Sequence, residues 1–507
     1  MVDLRVMGNY KPIKNYDEDD NEQSRLDPCG MLQARGRDDV EMALPISESR
    51  SANAYANEER LSKKIDDHSL SSSRNQPQRL VSLDVFRGLT VALMILVDDV
   101  GGLIPAINHS PWNGLTLADF VMPFFLFIVG VSLALTYKKM SSRVVSTRKA
   151  IMRALKLLAL GVFVQGGFLH GLNDLTYGVD IKQIRWMGIL QRIAVAYLVT
   201  ALCEIWLKGD DTVNSGSSLL RKFQYQWGVA LFLTSIYLSL LYGLYVPDWE
   251  YQIPTEPSLP PKIFSVKCGV RADTGPACNA VGMIDRKILG IQHLYRRPVY
   301  ARMQECSINS PDYGPLPHGA PSWCQAPFDP EGLLSSVMAI VTCLVGLQYG
   351  HIIVHFKDHR VRILHWMIPT SCLVVFGFAL DLFGMHINKV LYSFSYMCVT
   401  AGAAGILFTG IYLMVDVCGY SRVATVIKWM GMHALAIYIL AACNVLPIVL
   451  QGFYWGRPQN NIDLSSDATI SSAKEYEGLY YLEVITRGQA QAKTKERQVK
   501  FEFMDLS

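Results

Sequence analysis

Nine stretches of about 20 mainly apolar residues punctuate this chain, near 86–107, 116–137, 150–169, 187–207, 226–246, 332–354, 364–383, 391–415 and 427–450. A helix needs roughly 20 such residues to cross a bilayer. In lipid, every backbone N–H and C=O must find its partner inside the protein, which leaves helices and closed barrels as the only spanning structures. Runs of this length predict an all-α polytopic membrane protein, a bundle of about nine to ten transmembrane helices, with the last stretch broken by Pro447. Half of the 507 residues are hydrophobic and the mean hydropathy is +0.20, too apolar on average for an ordinary soluble protein.

The polar residues are segregated around these stretches. Residues 1–78 are rich in Ser, Asn, Asp and Arg and bury too little apolar surface to offset chain entropy, so they read as a disordered tail without a signal peptide. Lys and Arg cluster in alternate short loops: Lys138, Lys139, Arg143, Arg148 and Lys149, then Lys208, Arg221 and Lys222, then Lys357, Arg360 and Arg362, then Arg422 and Lys428. Such loops stay in the cytosol. The expected organisation is therefore a cytosolic tail over 1–78, five helices over 79–246, a luminal loop over 247–331, four helices over 332–455 and a polar tail over 456–507. Four of the eleven cysteines, Cys268, Cys278, Cys306 and Cys324, lie in that loop. An even cluster in a non-cytosolic, Pro-rich loop predicts two disulfides of undetermined connectivity, and the spacings match no usual zinc pattern, so no metal is expected.

Ionisable groups near membrane depth are costly and are the first candidates for chemistry. The hairpin INHSPWNGLTLAD between the first two stretches holds His109, Asn113 and Asp119. An imidazole titrates near neutral pH and serves as a general base or a nucleophile. The blander reading makes His109 an interfacial turn residue, with Trp112 anchored at the headgroups. Asp119 lies a few residues inside an apolar helix and needs a partner: His109 across the turn, or Arg192 at similar depth in the fourth stretch. A carboxylate favoured by the helix dipole is the alternative. Asp98, Asp99 and Asp381 end helices on the same side and complete a polar luminal cluster. On the cytosolic side, Asp84 and Arg87 are either a simple helical ion pair or a contact for a polyphosphate ligand. No phosphate-binding Gly-rich loop, GxSxG, HExxH or CxxC motif is present.

The segments SLDVFRGLTVALMILV, NHSPWNGLTLADFVMPFFLFIVGVSLAL, IRWMGILQRIAVAYL and FDPEGLLSSVMAIVTCLVGLQYG resemble the heparan-α-glucosaminide N-acetyltransferase family, in the spelling of its plant-type members. The resemblance runs over roughly 79–460. It implies a multi-pass acetyltransferase that carries acetyl from cytosolic acetyl-CoA, a co-substrate, to a luminal amino sugar. On that resemblance His109 is the active-site histidine, Asp119 its acid, and Leu190, Gln191 and Arg192 the LQR motif. It further implies a lysosomal, vacuolar or other endomembrane location, with the plasma membrane and a homodimer left open. The expected partners are the bilayer, acetyl-CoA and the amino-sugar acceptor, with no nucleic acid. Residues 463–507 depart from the family, which carries a further apolar helix there. The chemistry expected is attack by the acceptor amine, with His109 as base, Asp119 orienting it, and Asn113 and Arg192 in support; a transiently acetylated His109 is the alternative route. A cytosolic donor and a luminal histidine together require a cavity entering from the cytosolic side. The rival classes are an exporter of a sugar-like or acylated solute and a catalytically silent family member.

Overall fold

The computed structural model describes residues 80–101, 104, 106–138, 142–166, 184–209, 213, 215–253, 262–295, 299–420, 422, 424–442, 474–476 and 479–481. The tail expected over 1–78, Pro447 and nearly all of the C-terminal tail lie outside them. Every apolar stretch contains a helix. In chain order these are α1 (Val81–Val100), α2 (Val121–Thr136), α3 (Arg143–Gly166), α4 (Ile189–Trp206), the short α5 (Gly216–Lys222) and α6 (Gln224–Gly243). After α7 (Ala280–Ile288) follow α8 (Leu333–His355), α9 (His359–Leu382), α10 (Phe394–Tyr412), α11 (Thr425–Met432) and α12 (Ala434–Ala442).

Among the described residues six helices are long and apolar enough to cross a membrane, α2 counted from Leu117 and α10 to Val417, and the bent pair α11–α12 makes a seventh if it is one span. Helices α1 and α3 are of similar length but carry Asp84, Arg87, Asp98 and Asp99, and five basic residues, respectively. The protein is thus an all-α polytopic membrane protein, with small strands in the connection between α6 and α8 and one short antiparallel pair, Lys474–Tyr476 with Leu479–Tyr481, near the C-terminus. Two corrections to the sequence reading concern helix ends. Helix α1 starts and stops earlier than its apolar run: it ends at Val100, with Gly101 as its cap, and Ser82, Leu83 and Asp84 are buried at its start. The last stretch bends by 73° between Met432 and Ala434.

Helix α8 is the central pillar, buried at all but one position from Leu334 to Ile353. Lipid tails are as apolar as leucine, so close van der Waals packing rather than water exclusion must hold such helices together. Glycines supply it where α2 crosses α8. A Cβ on Gly130 would lie 2.0 Å from the Cys343 carbonyl oxygen, and one on Gly346 would lie 2.1 Å from that of Phe127. The same device joins α1 to α11, where a Cβ on Gly88 would lie 1.7 Å from the Ile427 oxygen.

The connection between α6 and α8 is a small folded unit. Strand β1 (Tyr245–Val246) pairs antiparallel with β4 (Val270–Arg271), and β2 (Trp249–Ile253) with β3 (Lys262–Val266) in the register Tyr251↔Phe264. Both expected disulfides are present, joining Cys268 to Cys278 and Cys306 to Cys324.

Candidate functional site

The hairpin between α1 and α2 is held from three directions. From within, Thr116 and Asp119 form a capping box that starts a 3-10 turn, Leu117–Phe120, ahead of α2. Such a box satisfies two otherwise orphaned N–H groups reciprocally. Asp119 Oδ2 accepts from Thr116 N at 3.0 Å, from Thr116 Oγ1 at 2.9 Å and from Ser110 N at 3.3 Å. Its other oxygen, Oδ1, lies 2.9 Å from His109 Nδ1. Of the two alternatives for Asp119, the capping position and the imidazole partner, the protein uses both at once.

From the disulfide-bearing unit comes Arg302, four residues before Cys306. Its Nη1 donates to the Asn108 side-chain oxygen at 3.0 Å and to the His109 carbonyl at 2.8 Å, and its Nε donates to Pro311 O at 2.8 Å. Trp112 is not an interfacial anchor. It is 5% exposed, donates its indole N–H to the Thr274 carbonyl and packs on Tyr300 and Phe328.

The third direction is the loop between α9 and α10. Gly114, whose φ of 113° suits glycine, donates its N–H to Ile387 O at 2.9 Å, and Asn388 donates to Asn113 Oδ1 at 3.2 Å. Asp381 braces this loop through the Ile387 N–H at 2.9 Å and His386 at 3.4 Å. The loop delivers Lys389, whose Nζ lies 2.8 Å from His109 Nδ1, 3.0 Å from His109 Nε2 and 3.7 Å from Asp119 Oδ1. The Asp119 side chain has no exposed surface, whereas 42% of the His109 side chain is accessible.

Burial among the surrounding groups lowers the His109 imidazole below its ordinary value of 6.5. The Lys389 ammonium adds to this, and the pull of Asp119 in the other direction does not overcome the two. Burial lowers Lys389 as well, against the opposing carboxylates of Asp119 and Glu331.

The expected pairing of Arg192 with Asp119 is not made. Arg192 donates instead to Pro330 O at 2.7 Å, to Ser335 Oγ and to Ser336 Oγ at 3.3 Å, with its guanidinium 5.4 Å from the Tyr392 ring. One turn into α4, it reaches the Pro330 carbonyl just ahead of α8 and the hydroxyls of Ser335 and Ser336 in the first turn of α8. Lys389 takes the place at Asp119 that sequence depth assigned to Arg192. It was missed because it sits in a loop rather than in an apolar run, and no local pattern marks it. Asp98 is exposed in the last turn of α1, and the Asp99 side chain lies outside the described residues. At the opposite end of α1, Arg87 lies 3.5 Å from Asp84, which is only 3% exposed. A cavity of about 520 Å³ between α5, α6, α8 and α9 is lined by Leu219, Trp227, Gln348, His365 and Phe376 among others. None of its lining residues belongs to the His109 site.

Fold and site together define a multi-pass helical membrane protein with an accessible imidazole held by a buried carboxylate and a lysine at one end of the bundle. Residues 79–212 match the family model described as heparan-alpha-glucosaminide N-acetyltransferase, catalytic. The chain is 31% identical over 394 residues to the heparan-alpha-glucosaminide N-acetyltransferase of Mus musculus, covering 74% of this chain and 55% of that protein. It is 29% identical over 384 residues to the enzyme of the same name from Homo sapiens, covering 72% and 52%. The chain therefore spans about half the length of the curated relatives it matches, and the family resemblance carried by its motifs is borne out. His109, Asp119 and Arg192 lie inside residues 79–212, the part the family model matches; Lys389 lies beyond that part.

Proposed function

We propose that this protein is an acetyl-CoA-dependent N-acetyltransferase acting on an amino sugar, with His109 as general base. One observation carries the reading: a half-exposed imidazole whose Nδ1 is 2.9 Å from a fully buried carboxylate. With Nδ1–H given to Asp119, the lone pair of Nε2 is the free basic site. The acceptor amine attacks the thioester carbonyl and forms the N–C bond as His109 Nε2 takes one N–H proton. The C–S bond then breaks, and the imidazolium returns that proton to the departing CoA thiolate. Asp119 stays ionised and stabilises the imidazolium that forms. Asn113, within this hairpin and hydrogen-bonded to Asn388, and Arg192, which reaches from α4 to the start of α8, support the site rather than react. The names of the curated relatives support a glucosaminide-like acceptor.

The basic loops support placing the His109 end on the luminal side, with the donor entering from the cytosol, and endomembrane residence follows from the same reading. Within this organisation the 247–331 unit is the luminal cover of the site. Purified protein incubated with radiolabelled acetyl-CoA and glucosamine tests the proposal. Wild type should form N-acetylglucosamine and His109→Ala should not. Equal transfer by both would remove His109 from the chemistry, and no transfer by either would remove the activity.

A further inference from the structure

Resting on the acetyl-transfer reading, we propose that Lys389 is a second catalytic residue, supplying the positive charge that stabilises the oxyanion formed when the thioester carbonyl is attacked. Its Nζ is 3.0 Å from His109 Nε2 and 2.8 Å from Nδ1, so it sits beside the ring rather than at the end of one nitrogen's lone pair. Any amine that gives its proton to Nε2 must lie within hydrogen-bond reach of that atom, and the carbonyl it attacks lies one bond further on. A cation held 3.0 Å from Nε2 therefore borders the place where the carbonyl oxygen gains charge. Developing charge is stabilised most by groups positioned before the reaction begins. Lys389 is positioned in this way by the braced loop between Asp381 and Ser393, where Asn388 is tied to Asn113, to Ser393 and to the Leu391 N–H.

The resting contact also fits a working cycle. With Nδ1–H engaged by Asp119 and the ammonium beside the ring, the in-plane lone pair of Nε2 stays open to the incoming amine. As the amine is seated there, the ammonium turns from the ring to the carbonyl oxygen. When the C–S bond breaks the oxyanion collapses to the amide carbonyl, and Lys389 returns to the ring with its proton unchanged. The charged groups facing His109 are Asp119 from the start of α2, Lys389 from the α9–α10 loop and Arg302 from the disulfide-bearing unit. Those facing Lys389 are Asp119, Glu331 and Arg192. The protein thus keeps a cation next to a base, an arrangement that costs basicity at His109.

The test compares wild type, Lys389→Met, Lys389→Arg and His109→Ala in acetyl transfer to glucosamine. It adds a second readout, the pH dependence of diethylpyrocarbonate modification at His109 followed by peptide mass spectrometry, since this reagent takes the neutral imidazole. Lys389→Met should lower kcat about 100-fold or more with KM for the amine nearly unchanged, as loss of one oxyanion donor does elsewhere. Lys389→Arg should recover a substantial part of kcat, and the His109 modification midpoint should move to higher pH in Lys389→Met. Wild-type kcat in Lys389→Met, or a fall in Lys389→Met that Lys389→Arg does not relieve at all, would overturn the proposal. Absence of transfer in wild type would end the acetyl-transfer reading and this role with it. An unchanged modification midpoint would show separately that Lys389 does not act on the imidazole.

Discussion

Two histidine–carboxylate pairs lie at opposite ends of this bundle, and their difference separates a structural pair from a candidate site. His109 Nδ1 is 2.9 Å from Asp119, and His351 Nε2 is 2.8 Å from Glu204. By distance alone they are equivalent. The second pair is sealed: its side chains are 2% and 1% exposed, and the Phe223 ring centroid lies 3.6 Å from that of His351. Glu204 also accepts from Gln226, which in turn accepts from Gln348, so this network ties α4, α6 and α8 together. The first pair has one buried partner, one accessible partner and a lysine beside the ring. Pair geometry is common wherever a charge must be satisfied in a low dielectric. Access to the free imidazole nitrogen is what only the first pair offers.

The sharpest way to break this comparison is to remove each imidazole. His109→Ala should abolish acetyl transfer, a fall of about 100- to 10,000-fold for loss of a general base, while leaving the detergent-solubilised protein monodisperse. His351→Ala should instead lower the melting temperature, because it leaves a void against Phe223 and takes one of three partners from the buried Glu204, which keeps Gln226 and Lys208. A scanning-fluorimetry profile in which the two variants behave alike would dissolve the distinction. Next in size, Asp119→Asn should reduce kcat by roughly 100-fold or more, since an amide no longer holds Nδ1–H as an ionised partner does. Glu204→Gln should leave kcat per folded molecule near wild type.

The pH profile gives a finer test. Burial and the Lys389 ammonium lower His109 below 6.5. A base works in its neutral form, which persists at any pH above its own pKa. Transfer should therefore keep its rate as pH falls through 6.5 and decline only below it. A kcat profile already falling above pH 7 would contradict this assignment of the charges.

Smaller still is the effect of the Cys306–Cys324 disulfide, which closes a sequence separation of 18 beside Arg302. Cys306→Ser with Cys324→Ser should cost about 3 kcal/mol of stability in that unit and lower transfer through a loosened Arg302 clamp on the His109 carbonyl. The thermal shift and the rate should move together. Arg87→Ala should give the smallest thermal shift of the set, because the guanidinium it removes is itself partly exposed in an i,i+3 pair.

Much of this was legible in the chain before any coordinates. Apolar runs near 20 residues can satisfy their backbone in lipid in one way, so each of the nine stretches holds a helix. Four cysteines in one connection paired among themselves. His109 and Asp119 were legible as a pair because a ten-residue hairpin leaves them few other positions. Helix ends were less legible: the apolar count continued through Gly101 and Pro105, and it excluded Ser82 and Asp84, which are buried by α1 packing near α11. Arg192 was read by depth, and depth says how far a residue lies along a helix, not which neighbour it faces.

The sequence by itself determined the class of architecture, the disulfide-bearing connection and the imidazole–carboxylate pair, because each follows from local spacing or from the energetics of polar groups in lipid. Only the tertiary structure decided that Lys389, 280 residues from His109, stands beside that imidazole. The same holds for Arg302 gripping its carbonyl and for the second, equally short pair being sealed. Those are long-range contacts set by how loops from separate hairpins and helices meet at one end of the bundle, and no local pattern encodes such a meeting.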